Sequence, residues 1–144
     1  MSISSRFSVA IHILALLEIN KDEVCTSEYL AGSINTNPVV VRKIIGMLKK
    51  ACLVKVRPGI AGTELGKDLS DITLFDVYKA VNVVLEKELF TIHDNPNPEC
   101  LVGKNIQDTI EPFFIEAQVA MEEVLKSRTL KNVVQEIATK EDIN

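Results

Sequence analysis

The sequence predicts a mostly α chain with one small β-hairpin, and three observations carry that prediction. Leu, Ile, Val and Ala dominate a composition that is 47% hydrophobic but only 5% aromatic, without Trp, which suits helices better than a sheet sandwich. Apolar residues recur three and four positions apart along most of the 144 residues. The one β-rich run punctuated by turn residues is Cys52–Leu65.

Taken in order, Ile3, Phe7, Ala10, Ile11, Leu14 and Leu17 form a helical stripe over residues 3–19. Its longest apolar part, Val9–Ile19, holds His12 and Glu18 and is too short to span a bilayer. No small-residue cleavage site follows, so a cytoplasmic protein with no membrane partner is expected. Asn20–Glu23 is a polar turn. Thr26 has N-cap chemistry for a short helix over about Ser27–Ile34, with Glu28 at its positive end and Tyr29, Leu30 and Ile34 as its packing side. Asn35–Asn37 is turn chemistry, and Asn37 caps a second helix with Pro38 in its first position.

That second helix runs to about Ala51 and is two-faced. Val40, Ile44, Met47, Leu48 and Ala51 fall on one side; Val39, Arg42, Lys43, Gly46, Lys49 and Lys50 fall on the other. Gly46 costs about 1 kcal/mol relative to Ala in a helix interior, which calls for a close backbone approach or a packing reason. Cys52–Val56 and Thr63–Leu65 then pair around Arg57–Gly62 as a hairpin, with Cys52 as buried filler. Asp71–Thr73 caps a helix with Leu74, Val77, Tyr78 and Val81 on its apolar side.

His93–Cys100 is a loop with two Pro and two Asn. Beyond it, Ile106, Ile110, Phe113, Ala117, Ala120 and Val124 are spaced 4, 3, 4, 3, 4, a heptad seam that suits either a subunit contact or an internal core helix. Phe114, Met121 and Leu125 widen it, and Pro112 requires a kink or a helix start near Thr109. A last helix over Leu130–Ala138 ends in a frayed tail. The expected division is residues 1–85 and residues 86–144.

Charge decides what the hairpin and the two-faced helix are for. The chain carries 20 Asp+Glu against 16 Lys+Arg, net −4. From Leu30 to Thr63 there is no acid, while Arg42, Lys43, Lys49, Lys50, Lys55 and Arg57 give +6, so the rest of the chain stands at −10. A basic island in an acidic body is the electrostatic footprint of a polyanion-docking surface. Helix, turn, basic helix and hairpin in succession make a winged helix–turn–helix, whose second helix fits the major groove of double-stranded DNA. The candidate contacts are Thr36, Asn37, Val39, Arg42, Lys43, Lys49, Lys50, Lys55, Arg57 and Gly59. Arg42 suits a guanine edge or a phosphate, Val39 a thymine methyl, and the lysines phosphates. Two such heads joined as a homodimer by the heptad helix would meet successive half-sites about 34 Å apart.

The chain resembles the Rrf2-type winged helix–turn–helix regulators, in particular their YwnA-like subgroup. The carrying stretches are "SSRFSVAIHILALL" (Ser4–Leu17), "NPVVVRKIIGMLKKACLV" (Asn37–Val54), "DITLFDVYKAV" (Asp71–Val81) and "FTIHDNPNPECLVGKNIQ" (Phe90–Gln107). The resemblance implies a dimeric repressor with the long helix at its interface, responding to iron–sulfur status, redox state or a small-molecule effector. Two departures follow from the same comparison. Many members read RGxxGG before an aromatic in the wing, whereas this chain has "RPGIAGTEL", so weaker or different wing contacts are expected. Cluster-binding members place three cysteines in the loop before the long helix, where this chain has only Cys100, so no iron–sulfur cofactor and no metal are expected. Cys100, before a helix start and near Lys104, is a redox-sensing candidate, with Cys25 as its disulfide partner across a dimer; an ordinary reduced cysteine is the alternative.

No Gly-rich phosphate loop, metal motif or Ser/His/Asp set points to an enzyme. The rival reading is a protein-interaction module derived from a winged helix that no longer binds DNA; salt-dependent duplex binding separates the two.

Overall fold

The computed structural model describes residues 3–56, 59, 62–81 and 89–143. The chain divides into two compact units, one of Met1–Val83 with Lys126–Asn144 and one of Val84–Leu125.

The first unit is organised around α1 (Ile3–Ile19), which buries Ala10, Ile13, Leu14, Ala15 and Leu17. Ile13 and Ala15 lie off the single stripe read from the sequence, because α1 packs on α2 (Ser27–Ile34), α3 (Pro38–Lys50), α4 (Leu74–Val81) and α6 (Leu130–Ile143) and is covered on more than one side. Between α3 and α4 the strands β1 (Val54–Val56) and β2 (Thr63–Leu65) pair antiparallel, with Val54 opposite Leu65, Lys55 opposite Glu64 and Val56 opposite Thr63. Cys52 stays outside β1. The Thr63 amide donates to the Cys25 carbonyl at 3.1 Å, tying the hairpin to the segment before α2.

One core cluster joins these elements: Leu14 and Leu17 from α1, Leu30 from α2, Val41, Ile44 and Leu48 from α3, Leu53 and Val54, Ile72, Val77 and Val81, and Leu130 from α6. Leu130 is fully buried and α6 groups with the first unit by contact, whereas the sequence predicts residues 86–144 together. Two local devices hold α4 and α6 in place. Thr73 and Asp76 form a reciprocal capping box, each backbone N–H bonding the other's side chain at 3.0 Å. Thr129 and Asn132 do the same at the start of α6, while Leu74 donates to the Arg128 carbonyl and Leu130 to that of Ile72, both at 2.9 Å. The last helix continues to Ile143 where a frayed tail after Ala138 was expected.

The second unit contains α5 (Leu101–Lys126, its final residue counted with the first unit). The helix starts at Leu101 rather than near Thr109, because Asn97 and Cys100 close the preceding loop onto it: the Cys100 amide donates to the Asn97 carbonyl at 3.1 Å, and that of Lys104 to Cys100 at 2.8 Å. A side chain at Gly103 would collide with the Asn97 carbonyl, so the loop can close only over glycine. Pro112 lies inside α5 and leaves the Asp108 carbonyl without its helical donor. Among the described residues no helix is long and apolar enough to cross a membrane.

Candidate nucleic-acid interface

The turn between α2 and α3 is fixed by its own polar groups. Asn35 takes the left-handed conformation (φ 63°) and, with Thr36, donates to the Ala31 carbonyl, closing α2. The Asn37 side chain accepts from the Val39 amide at 2.7 Å, and Pro38 occupies the first turn of α3. The far end of α3 closes as firmly: Leu53 donates to the Leu48 carbonyl at 3.0 Å and Cys52 to that of Lys49 at 2.9 Å, the paired bonds of a Schellman motif. Cys52 therefore holds a left-handed φ of 63° and is exposed, not the buried filler read from the sequence; a position that favours glycine carries a side chain, which turns outward.

Between these caps α3 buries Val41, Ile44, Ile45 and Leu48. The expected inner face is thus rotated: Val41 and Ile45 join it, Val40 and Met47 are half-buried, and Ala51 is exposed. The outer face agrees with the reading of Val39, Arg42, Lys43, Gly46, Lys49 and Lys50, all exposed, with Val39 at 62%. Lys55 and Gly59 (φ 75°) are exposed on the hairpin, while Arg57 lies outside the described residues. Thr36 is half-buried, and Asn37 spends its side-chain oxygen on the cap.

The structure adds one residue that pattern reading missed. Glu28, in the first turn of α2, reaches Arg42 across the helix pair at 3.5 Å, both side chains being more than half exposed. The sequence placed Glu28 only at the positive end of α2, and nothing in it pointed to Arg42. Tyr29 also departs from expectation, for Leu30 and Ala31 are the buried pair of α2 and Tyr29 is exposed.

In the second unit the seam residues form a largely open apolar face. Phe113 and Val124 are 64% and 62% exposed, Ala117 and Ala120 are exposed, and Ile106 and Ile110 are half-buried. No α5 residue is buried. Beside it, Phe90, Thr91 and Ile92 border an open groove of about 310 Å³ with Glu111, Phe114, Ile115 and Gln118. Phe90 packs against Phe114 at 5.2 Å between ring centres. Cys100 is exposed, and hydrogen bonds from the backbone N–H groups of Gly103 and Val102 hold its thiol below the usual range. Cys25 is the opposite case. Burial, helped by the Glu23 carboxylate, pushes its thiol up, which argues against the expected role as an oxidisable partner of Cys100.

The family model for Rrf2, "Iron-dependent Transcriptional regulator", matches residues 3–136 of this chain. The chain belongs to the Rrf2 family. It is 51% identical over 132 residues to the Bacillus subtilis (strain 168) protein named "Putative HTH-type transcriptional regulator YwnA", covering 92% of this chain and 96% of that one. A crystal structure of a protein provisionally assigned to DNA binding is 45% identical, with a TM-score of 0.72 over 89% of this chain and 97% of that one. The structure of CymR, the global cysteine regulator of B. subtilis, shares the fold at 20% identity, with a TM-score of 0.67 over 94% of this chain and 97% of its own. As an Rrf2 protein the chain is a transcriptional regulator rather than an enzyme.

An iron–sulfur cluster would need several thiolates at one place. Cys100 is the one cysteine in the loop before α5, Cys25 is buried, and Cys52 ends α3. Among the described residues no three His, Cys, Asp or Glu side chains converge as a metal site. This donor set does not fit an iron–sulfur cluster held by several thiolates.

Proposed function

We propose that this Rrf2 protein is a cytoplasmic, homodimeric repressor that binds an inverted-repeat operator, with α3 of each subunit in the major groove and the β1–β2 wing along the backbone. The observation that carries the reading is the acid-free outer face of α3, held rigid by caps at both ends and exposed from Val39 to Lys50. Arg42 and Val39 lie in the half of α3 that reads base edges, while Lys43, Lys49, Lys50 and Lys55 suit phosphates. Second copies of the chain cover the apolar face of α5, because Phe113, Ala117, Ala120 and Val124 run along one side at coiled-coil spacing and lie open.

Repression is relieved by a signal read in the second unit. Cys100 supports an oxidative signal: its thiolate attacks a peroxide, displacing hydroxide and becoming a sulfenic acid, with Cys100 alone as the reacting group in each subunit. The aromatic-sided groove beside α5 offers a second entry for a small effector. Either event spoils repression by changing the distance between the two reading helices, since both half-sites must be met together.

The test is binding to a duplex selected from a random-sequence pool, repeated at rising salt. Steep weakening, with log affinity falling linearly in log salt, is expected because phosphate contacts release counterions. A folded dimer that fails to retain any duplex at low salt would refute the reading in favour of a protein-interaction module.

A further inference from the structure

We infer that Gly46 is a positioning residue that sets how deeply α3 enters the DNA groove; the inference rests on the proposed duplex reading and sharpens it. Glycine in the interior of a 13-residue helix is unfavourable and needs a reason. Neither reason expected from the sequence exists inside the chain. A Cβ built at Gly46 meets nothing within 4 Å, so no neighbouring backbone or core side chain excludes one. The φ is not left-handed either, so the backbone does not demand glycine.

What distinguishes the position is its place on the outer face. At about 100° per residue, Val39, Arg42, Lys43, Gly46, Lys49 and Lys50 span an arc of about 120°, and Gly46 lies at its middle. Arg42 and Lys49 stand on one flank, with Lys43 and Lys50 on the other. The most forward point of the basic face is therefore bare backbone between two rows of cations.

That relief matches the groove it would enter. A helix with its side chains is about 10–12 Å across, and the major groove is about 12 Å wide and 8.5 Å deep, so a side chain on the leading edge fills the depth first. With none there, the helix axis drops towards the base edges while the flanking cations reach the phosphate walls. A side chain at position 46 lifts the axis and draws Arg42 and Val39 off the bases before it breaks the longer, flexible lysine contacts.

The proposal predicts opposite signs for stability and recognition. Gly46→Ala and Gly46→Leu are compared with the parent for melting temperature, oligomeric state, and affinity for both a parent-selected duplex and its scrambled counterpart. Both variants are expected to melt a few degrees higher, since either residue is the better helix former. Their affinity for the selected duplex falls in the order parent, Ala, Leu, by about tenfold or more for Leu, while the scrambled duplex loses less than about threefold. A Leu variant that binds the selected duplex as tightly as the parent overturns the inference and leaves the duplex reading intact. Variants that melt lower or change oligomeric state overturn it too, since Gly46 would then serve the fold or a subunit contact. A parent that does not discriminate the two duplexes removes the reading and the inference together.

Discussion

Replacing Arg42 with Ala separates recognition from folding, and the structure supplies the sizes. The Arg42 side chain is 54% exposed, and Glu28, 3.5 Å away, is 72% exposed. A pair so solvated contributes about 0.2–1 kcal/mol, and Ala recovers a few tenths of that as the better helix former. The melting temperature should therefore move by no more than a few degrees. Recognition is the larger quantity. A bidentate guanine contact discriminates by about 1–3 kcal/mol, or about 5- to 150-fold, and a two-fold dimer carries the contact twice. Fluorescence anisotropy with the selected and scrambled duplexes at several salt concentrations distinguishes the roles. Loss of at least about fivefold on the selected duplex, with the scrambled one little changed, is the expected result. Equal losses on both duplexes, with the salt slope falling by about 1 per phosphate contact removed, would make Arg42 a backbone clamp and refute its assignment as a reader.

Cys52→Gly should raise stability by about 1 kcal/mol, since the left-handed position after α3 disfavours any side chain; thermal melts showing no gain would contradict the strain. Asp76→Ala removes the acceptor for the Thr73 amide and should cost about 1 kcal/mol in denaturant unfolding, with Asp76→Asn retaining most of it. Phe113→Glu with Val124→Glu should convert a dimer to monomers in sedimentation while leaving the far-ultraviolet spectrum helical, because both side chains already lie open in the single chain. Iodoacetamide should label Cys100 ahead of Cys25. The hydrogen bonds to Cys100 favour its thiolate, so its rate should reach half-maximum at a lower pH than that of an ordinary thiol, and that of buried Cys25 at a higher one. The same sign applies to stability: the Cys100 contribution is full above the unfolded-state pKa and is lost as pH falls through the lower folded one.

The legible parts of this chain are those written in local chemistry. Thr26, Asn37 and Pro38 mark helix starts because capping groups act within a turn, and α2 begins and ends as its sequence predicts. The outer face of α3 was legible because charge excludes itself from the core. What escaped depends on tertiary packing, or on cap bonds that a helical pattern does not show. Ile13 and Ala15 are buried because four helices surround α1, which no single stripe reveals. Cys52 looked like filler because a thiol between Ala51 and Leu53 is apolar; only the Schellman bonds from Cys52 and Leu53 show that it must turn outward. Leu130 and α6 looked like a continuation of the second unit, yet the hydrogen bonds at Ile72 and Arg128 return them to the first. The Glu28–Arg42 contact could not be read at all, since it requires the angle between two helices.

The return of α6 fixes the end of the chain to the core of the first unit. After Lys126 the chain is anchored within four residues. The Arg128 carbonyl accepts from Leu74, Leu130 donates to Ile72, and the Lys126 ammonium lies 4.8 Å over the Phe75 ring. Leu130 and Ile72 are fully buried in the cluster that also holds Val77 of α4 and Ile44 and Leu48 of α3. Close-packed interiors transmit strain, and the Leu130–Ile72 and Leu74–Arg128 bonds tie α6 into the same packing as α4 and α3.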